Sequence, residues 1–184
     1  MRGPDMSLPK LYSIWLIPSG DTCSVASKII SALSRKLDAP GFEPHVTLIN
    51  RLVGRQQDIA SKAAALARSI APFRVRLSTV EYLDHYSKCL FIRAKATEGL
   101  VRANSMARDI FGRRGDPAFM PHMSLLYGFF PQKVKESIVK EIGPKLELEF
   151  EAERLHLFCT TGSPGEWYGV GEFDIGKRDL QPRA

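Results

Sequence analysis

Along this chain, short stretches with a two-residue apolar period alternate with longer ones in which apolar residues return every three or four positions. From Leu11 to Pro18, Tyr12, Ile14 and Leu16 alternate with Ser13, Trp15 and Ile17, the period of a strand, and Pro18 ends it. Asp21 is placed to cap a helix along which Val25, Ile29, Leu33 and Leu37 recur, before Pro40 and Gly41 close it. Phe42 to Asn50 reads as the next strand. A helix from about Asp58 aligns Ile59, Ala63, Leu66, Ala67 and Ile70 on one face, and Pro72 stops it. Phe73, Val75, Leu77 and Thr79 then alternate with Arg74, Arg76 and Ser78. After a turn near Asp84 to Lys88 a partner strand runs from Cys89 to Ala96, giving a β-hairpin.

The same order then returns. A helix capped at Thr97 aligns Leu100, Asn104, Ala107 and Phe111, a Gly- and Arg-rich loop follows from Gly112 to Phe119, and a strand runs from His122 to Tyr127. Pro131 sits in the first turn of a further helix, where its missing N–H costs nothing, and Val134, Ile138 and Ile142 carry that helix to Gly143. Leu146, Leu148, Phe150 and Ala152 alternate with Glu147, Glu149, Glu151 and Glu153, so this strand has one wet, acidic face. Leu155 and Leu157 fall out of that phase, which predicts a bulge or bend near Arg154, and Trp167 to Ile175 supplies the last strand. The expected fold is α+β and bilobal: antiparallel sheets duplicated about a pseudo-twofold axis, with helices packed outside. One domain is expected over residues 11–176, between a loose start at 1–10 and a tail at 177–184.

Composition narrows the class. The chain has 184 residues, 44% hydrophobic and 25% charged, the balance of a soluble globular domain. Its apolar runs fall far short of the ~20 residues a membrane helix needs, so no membrane partner is expected. Met1 to Lys10 is polar and lacks a secretory leader's apolar stretch. Cys23, Cys89 and Cys159 are odd in number and widely spaced, which predicts free thiols and a cytoplasmic location. The net charge of +6 favours phosphate-bearing ligands. Its scattered cations favour a small nucleotide over a long RNA track, and a monomer is expected.

The duplication becomes sharp at Pro44-His45-Val46-Thr47-Leu48 and Pro121-His122-Met123-Ser124-Leu125. On a strand, residues two apart share a face, so His45 points with Thr47 and His122 with Ser124, while Val46, Leu48 and Met123 turn inward. Strands placed side by side would bring two imidazoles and two hydroxyls to one cleft. Opening a cyclic phosphodiester with water needs one group to take a proton from the water and another to give one to the departing oxygen. Imidazoles titrate near neutrality, so one neutral and one protonated ring are expected there, with Thr47 and Ser124 donating to the non-bridging phosphate oxygens. No metal or other cofactor is then needed. The glutamates at 147–153 lack the His or Cys partners of a metal site, and His85 and His156 stand in no motif.

With these residues the sequence resembles the 2H phosphoesterases, named for two His-x-Thr/Ser motifs. Tyr12-Ser13-Ile14-Trp15-Leu16-Ile17-Pro18 and Met120-Pro121-His122-Met123-Ser124-Leu125-Leu126-Tyr127 are similar to the plant-type cyclic nucleotide phosphodiesterase branch. Ser124 departs from the commonest motif but keeps its hydroxyl. The resemblance implies a water-filled cleft and hydrolysis of nucleoside 2′,3′-cyclic phosphates or ADP-ribose 1″,2″-cyclic phosphate, in RNA metabolism. It implies His122 as base and His45 as acid; the residues themselves leave that order open. Trp15 is expected to stack on a base or ribose. Tyr127 is expected to contact the phosphate, provided that the strand ends or twists before it, and Tyr86 to close over the ligand from the hairpin turn. Two other readings stand: a phosphodiesterase of 2′,5′-oligonucleotides or RNA 3′ ends in the same superfamily, and a nucleotide-binding module without catalysis.

Overall fold

A computed structural model describes residues 9–177; most of the segments 1–10 and 177–184, expected to flank the domain, lies outside the described residues. The elements follow the predicted order: β1 (Leu11–Leu16), α1 (Gly20–Leu37), β2 (Val46–Val53), α2 (Gln56–Ser69), β3 (Phe73–Glu81), β4 (Leu90–Ala94), α3 (Glu98–Ile110), β5 (His122–Leu126), α4 (Gln132–Ile142), β6 (Lys145–Ala152), β7 (Arg154–Cys159) and β8 (Tyr168–Asp174). Among the described residues no helix is long and apolar enough to cross a membrane. Cys23, Cys89 and Cys159 are free thiols.

The strands form one antiparallel sheet in the order β6-β3-β4-β5-β2-β1-β7-β8. The expected pair of sheets is therefore two four-stranded halves of one, and their seam is the pairing of Val46 with Met123. Each half presents its motif strand to the seam, β2 on one side and β5 on the other. The intervening helices hold the halves together. Helix α1, which leaves the first half, packs on β5 and β6 of the second; α3, which leaves the second half, packs on β2 and β3. Buried polar contacts fix both seats: the Thr22 hydroxyl donates to the Glu149 carbonyl at 2.6 Å, and Asn104 Nδ2 donates to the Leu48 carbonyl at 2.7 Å.

Two expectations need correcting. The most buried stripe of α1 is Thr22, Ala26, Ile30 and Leu33, one position round from Val25, Ile29 and Leu37, which are half-buried. Docking on the far half of the sheet sets that rotation, and periodicity cannot see it. The phase break near Arg154 is also more than a bulge. Strand β6 pairs with β3, whereas β7 pairs with β1 and β8, so the chain crosses from one half of the sheet to the other at Glu153. The change of face lets Ala152 on one side and Leu155 and Leu157 on the other all reach the core. The wet face of β6 is as expected: Glu149 and Glu151 meet Arg74 and Arg76 of β3 in exposed ion pairs, each worth at most about 1 kcal/mol.

Candidate active site

Val46 and Met123 are fully buried, so their neighbours along each strand face the opposite side of the sheet. Counting outward from their pairing sets His45 across from Ser124 and Thr47 across from His122. Facing residues on adjacent strands have Cβ atoms about 5 Å apart and diagonal ones about 7–8 Å. The imidazoles are the diagonal pair, which leaves a gap of the order of a phosphate between them.

Both rings are set by the same local device. A proline precedes each histidine and holds the residue before it extended. The carbonyl of that residue then receives the ring: His45 Nδ1 donates to the Glu43 carbonyl at 2.6 Å, and His122 Nδ1 donates to the Met120 carbonyl at 2.8 Å. A carbonyl only accepts, so in both rings the proton sits on Nδ1 and Nε2 is left to exchange one with a ligand.

The surroundings of the rings differ. His45 is 5% exposed and lies flat against Trp15, with ring centroids 3.7 Å apart and planes at 12°. Loss of water drives its pKa down to about 4, the Glu43 carbonyl opposing and His122 adding slightly. His122 is more open and packs edge-on against Phe91. Its pKa is also lowered, first by burial and then by Lys88, Arg93 and His85. At neutral pH the free protein thus holds two neutral imidazoles, in place of the expected neutral and protonated pair. A phosphate anion about 4 Å away at an effective dielectric near 20 contributes about 4 kcal/mol, or roughly three pKa units. That is the size needed to bring the His45 pKa back toward neutral pH, so an anion held there would favour the protonated ring.

Trp15 is not placed as expected. Phe158 from β7 stacks on it at 4.1 Å and 25°, while His45 stacks on it from the β2 side. With both faces covered and 3% exposure, it has no face to offer a base or ribose; it supports His45 instead. The two motif hydroxyls differ in their bonding. The Ser124 hydroxyl donates to the Ser87 carbonyl at 2.7 Å, whereas the Thr47 hydroxyl has no such bond among the described residues. Thr47 is free to donate to an anion, and Ser124 must first leave Ser87.

Tyr127 lies just past the end of β5, and that ending turns it into the cleft's aromatic wall. It stacks on Phe42 at 3.9 Å and meets Trp167 edge-on at 6.0 Å. Burial pushes its phenol pKa up, with Ser124 opposing, so it remains a protonated donor. Tyr86 stands at the rim, half-exposed, 5.9 Å from Tyr127 and 5.8 Å from Phe129, which is 78% exposed. Sequence reasoning missed Phe42, Phe158, Trp167 and Phe129. Alternation from Leu155 and Leu157 would have put Phe158 on this face; Trp167 arrives from a distant loop with no local sign.

The sequence model of the 2′-5′ RNA ligase superfamily matches residues 26–163, which include both motifs. The chain belongs to this superfamily, the 2H phosphoesterases. It is 23% identical over 155 residues to a cyclic phosphodiesterase of Arabidopsis thaliana, covering 82% of this chain and 85% of that one. Its fold is similar to that of E. coli LigT, solved in complex with 3′-AMP, at a TM-score of 0.62, 14% identity and coverage of 93% and 100%. It is also similar to TT0787 of Thermus thermophilus, at a TM-score of 0.62, 20% identity and coverage of 91% and 98%. As in the sequence reading, the α+β duplication of this 2H phosphoesterase places one motif on each side of a central seam.

Proposed function

We propose that this 2H phosphoesterase is a metal-independent cyclic phosphodiesterase that converts nucleoside 2′,3′-cyclic phosphates or ADP-ribose 1″,2″-cyclic phosphate to phosphomonoesters. The observation that carries the reading is the matched pair of imidazoles across the seam, each with Nδ1 tied to a carbonyl and Nε2 left over. His122, the more open ring, takes a proton from water as the water oxygen bonds to phosphorus. His45, loaded by the anion, gives its Nε2 proton to the ribose oxygen as that oxygen leaves. Thr47 donates to a non-bridging oxygen. Ser124 and Tyr127 stand beside the same phosphate, and Tyr86 lies over the entrance. Similarity to the Arabidopsis cyclic phosphodiesterase supports the reaction class. The substrate and product are small and soluble, in keeping with a monomeric cytoplasmic enzyme.

A second reading, cleavage at RNA 3′ ends, draws on the exposed Tyr86 and Phe129 at the rim, since aromatic faces are how proteins hold successive bases of a single strand. The experiment is a product analysis in EDTA. Cyclic mononucleotides, ADP-ribose 1″,2″-cyclic phosphate and a tailed RNA are each incubated with the full chain, and 2′ and 3′ monoesters are resolved. Turnover of a cyclic phosphate despite the chelator is expected. Turnover of the RNA alone would favour the second reading, and binding without turnover a non-catalytic module.

A further inference from the structure

Beside the histidines, beyond β1, the same face of the sheet holds a pocket of about 390 Å³ whose lining includes Glu43, His156, Phe158, Gly169, Gly171 and Glu172. Leu155, Leu157 and Cys159 of β7 turn into the core, so His156 and Phe158 face this side. The pocket joins the site through two of its walls. The Glu43 backbone carbonyl holds the His45 ring, and Phe158 backs the Trp15 ring on which His45 lies. A Cβ at Gly169 would touch the Phe158 ring at 3.8 Å, so a longer side chain there would enter the space. At this volume the pocket is of the size that takes a small organic ligand.

Its charge is opposite to that around His122. The Glu43 carboxylate has no hydrogen-bond or ion-pair partner among the described residues, and partial burial together with Glu172 pushes its pKa up. One Glu172 oxygen meets Arg154 at 3.2 Å; the other lies 3.7 Å from His156 Nδ1. Burial lowers the pKa of His156, so its ring is neutral at pH 7; on that side the Glu43 carboxylate is unpaired, and Glu172, held by Arg154 through one oxygen, turns the other toward a neutral ring. At the far end His122 feels the cations Lys88 and Arg93, the latter already forked onto Glu81. A nucleotide in this cleft therefore meets cations at one end and hydrogen-bond acceptors at the other.

We propose that this pocket is the nucleoside subsite: Glu43 and Glu172 accept from the N–H groups of the base, guanine best, and repel a second phosphate on the 5′ side. Guanine carries two adjacent N–H donors, which match the two oxygens of a carboxylate, whereas uracil offers one. The inference rests on the histidine pair as the phosphate site. Within the proposed reaction it selects nucleoside 2′,3′-cyclic phosphates over ADP-ribose 1″,2″-cyclic phosphate, whose pyrophosphate would have to pass the carboxylates.

Calorimetric binding of guanosine 2′-monophosphate, uridine 2′-monophosphate and guanosine 2′,5′-bisphosphate to the full chain tests it without requiring turnover. The guanosine monophosphate should bind about tenfold tighter than the uridine one, the contribution of a hydrogen bond to a charged group, and tighter than the bisphosphate. In Glu172→Gln, and in Glu43→Gln as a second variant, both differences should shrink to within about threefold by the same reasoning. Equal affinities in the unaltered protein, or preferences that survive both substitutions, would overturn the subsite. A protein that keeps these preferences yet hydrolyses no cyclic phosphate would retain the pocket and lose the catalytic reading. Hydrolysis with no preference among the three ligands would do the reverse.

Discussion

Trp15 lies face to face with the imidazole of His45, its ring centroid 3.7 Å away, and Phe158 closes its other side. This stack fixes the plane of the imidazole and keeps water from it. Trp15→Leu should let water in and raise the His45 pKa from about 4 toward its ordinary 6.5. Trp15→Phe should preserve most of the shift. Histidine titrations by NMR, with the pH profile of kcat/KM beside them, check this. A variant whose only change is a higher KM would instead indicate direct stacking on the ligand.

Replacing either histidine removes one half of the proton transfer. His45→Ala and His122→Ala should each lower kcat by about 100- to 10,000-fold, or roughly 3 to 6 kcal/mol of barrier. The double variant should be little worse than the poorer single one, because the groups act as a unit. Single-turnover rates are the measurement. Near-normal turnover in one variant would remove that ring from the chemistry.

The two hydroxyls should not be equivalent, although the motifs look so. Thr47 is uncommitted, whereas Ser124 donates to Ser87. Thr47→Val should cost about 100-fold in kcat, the low end for loss of a donor to transition-state charge. Ser124→Ala should cost about tenfold, since part of what it loses is a bond the free protein already makes. Steady-state kinetics of the pair decide, and equal losses would mean that Ser124 releases Ser87 at no cost.

Stability should depend on pH through His45. Its pKa is lowered on folding, so between about 4 and 6.5 the unfolded chain binds more protons than the folded one. The contribution is complete above pH 6.5 and is lost as pH falls toward 4, to a total of about 3 kcal/mol. His122, shifted in the same direction, adds to the loss. Urea unfolding at pH 7 and pH 4.5 should give a smaller difference for His45→Gln than for the unaltered protein. An identical difference in both would mean that His45 is not desolvated in solution.

Much of this was legible in the sequence, for identifiable reasons. Strand and helix periods survive wherever one face is buried, and the Pro-His-x-hydroxyl repeat marks both motif strands without any alignment. What escaped depends on contacts between distant segments. Nothing local in Glu151 to Leu157 reveals that the chain changes its pairing partner at Glu153, because either partner accepts an alternating strand. Trp15 lies on the motif face by alternation alone, but the rings that cover it arrive beside β2 and on β7, contacts that no local pattern shows. The lowered pKa values of the histidines likewise leave no local mark, since desolvation is a property of packing.

The central claim is that one anion lies between both imidazoles, and the most direct test follows both rings as that anion is added. In the full chain, NMR titration of the histidine side chains with a nucleoside 2′-monophosphate should show His45 and His122 rising in pKa in a single transition of one-to-one stoichiometry. A shift confined to one ring, or two transitions at different ligand concentrations, would contradict it.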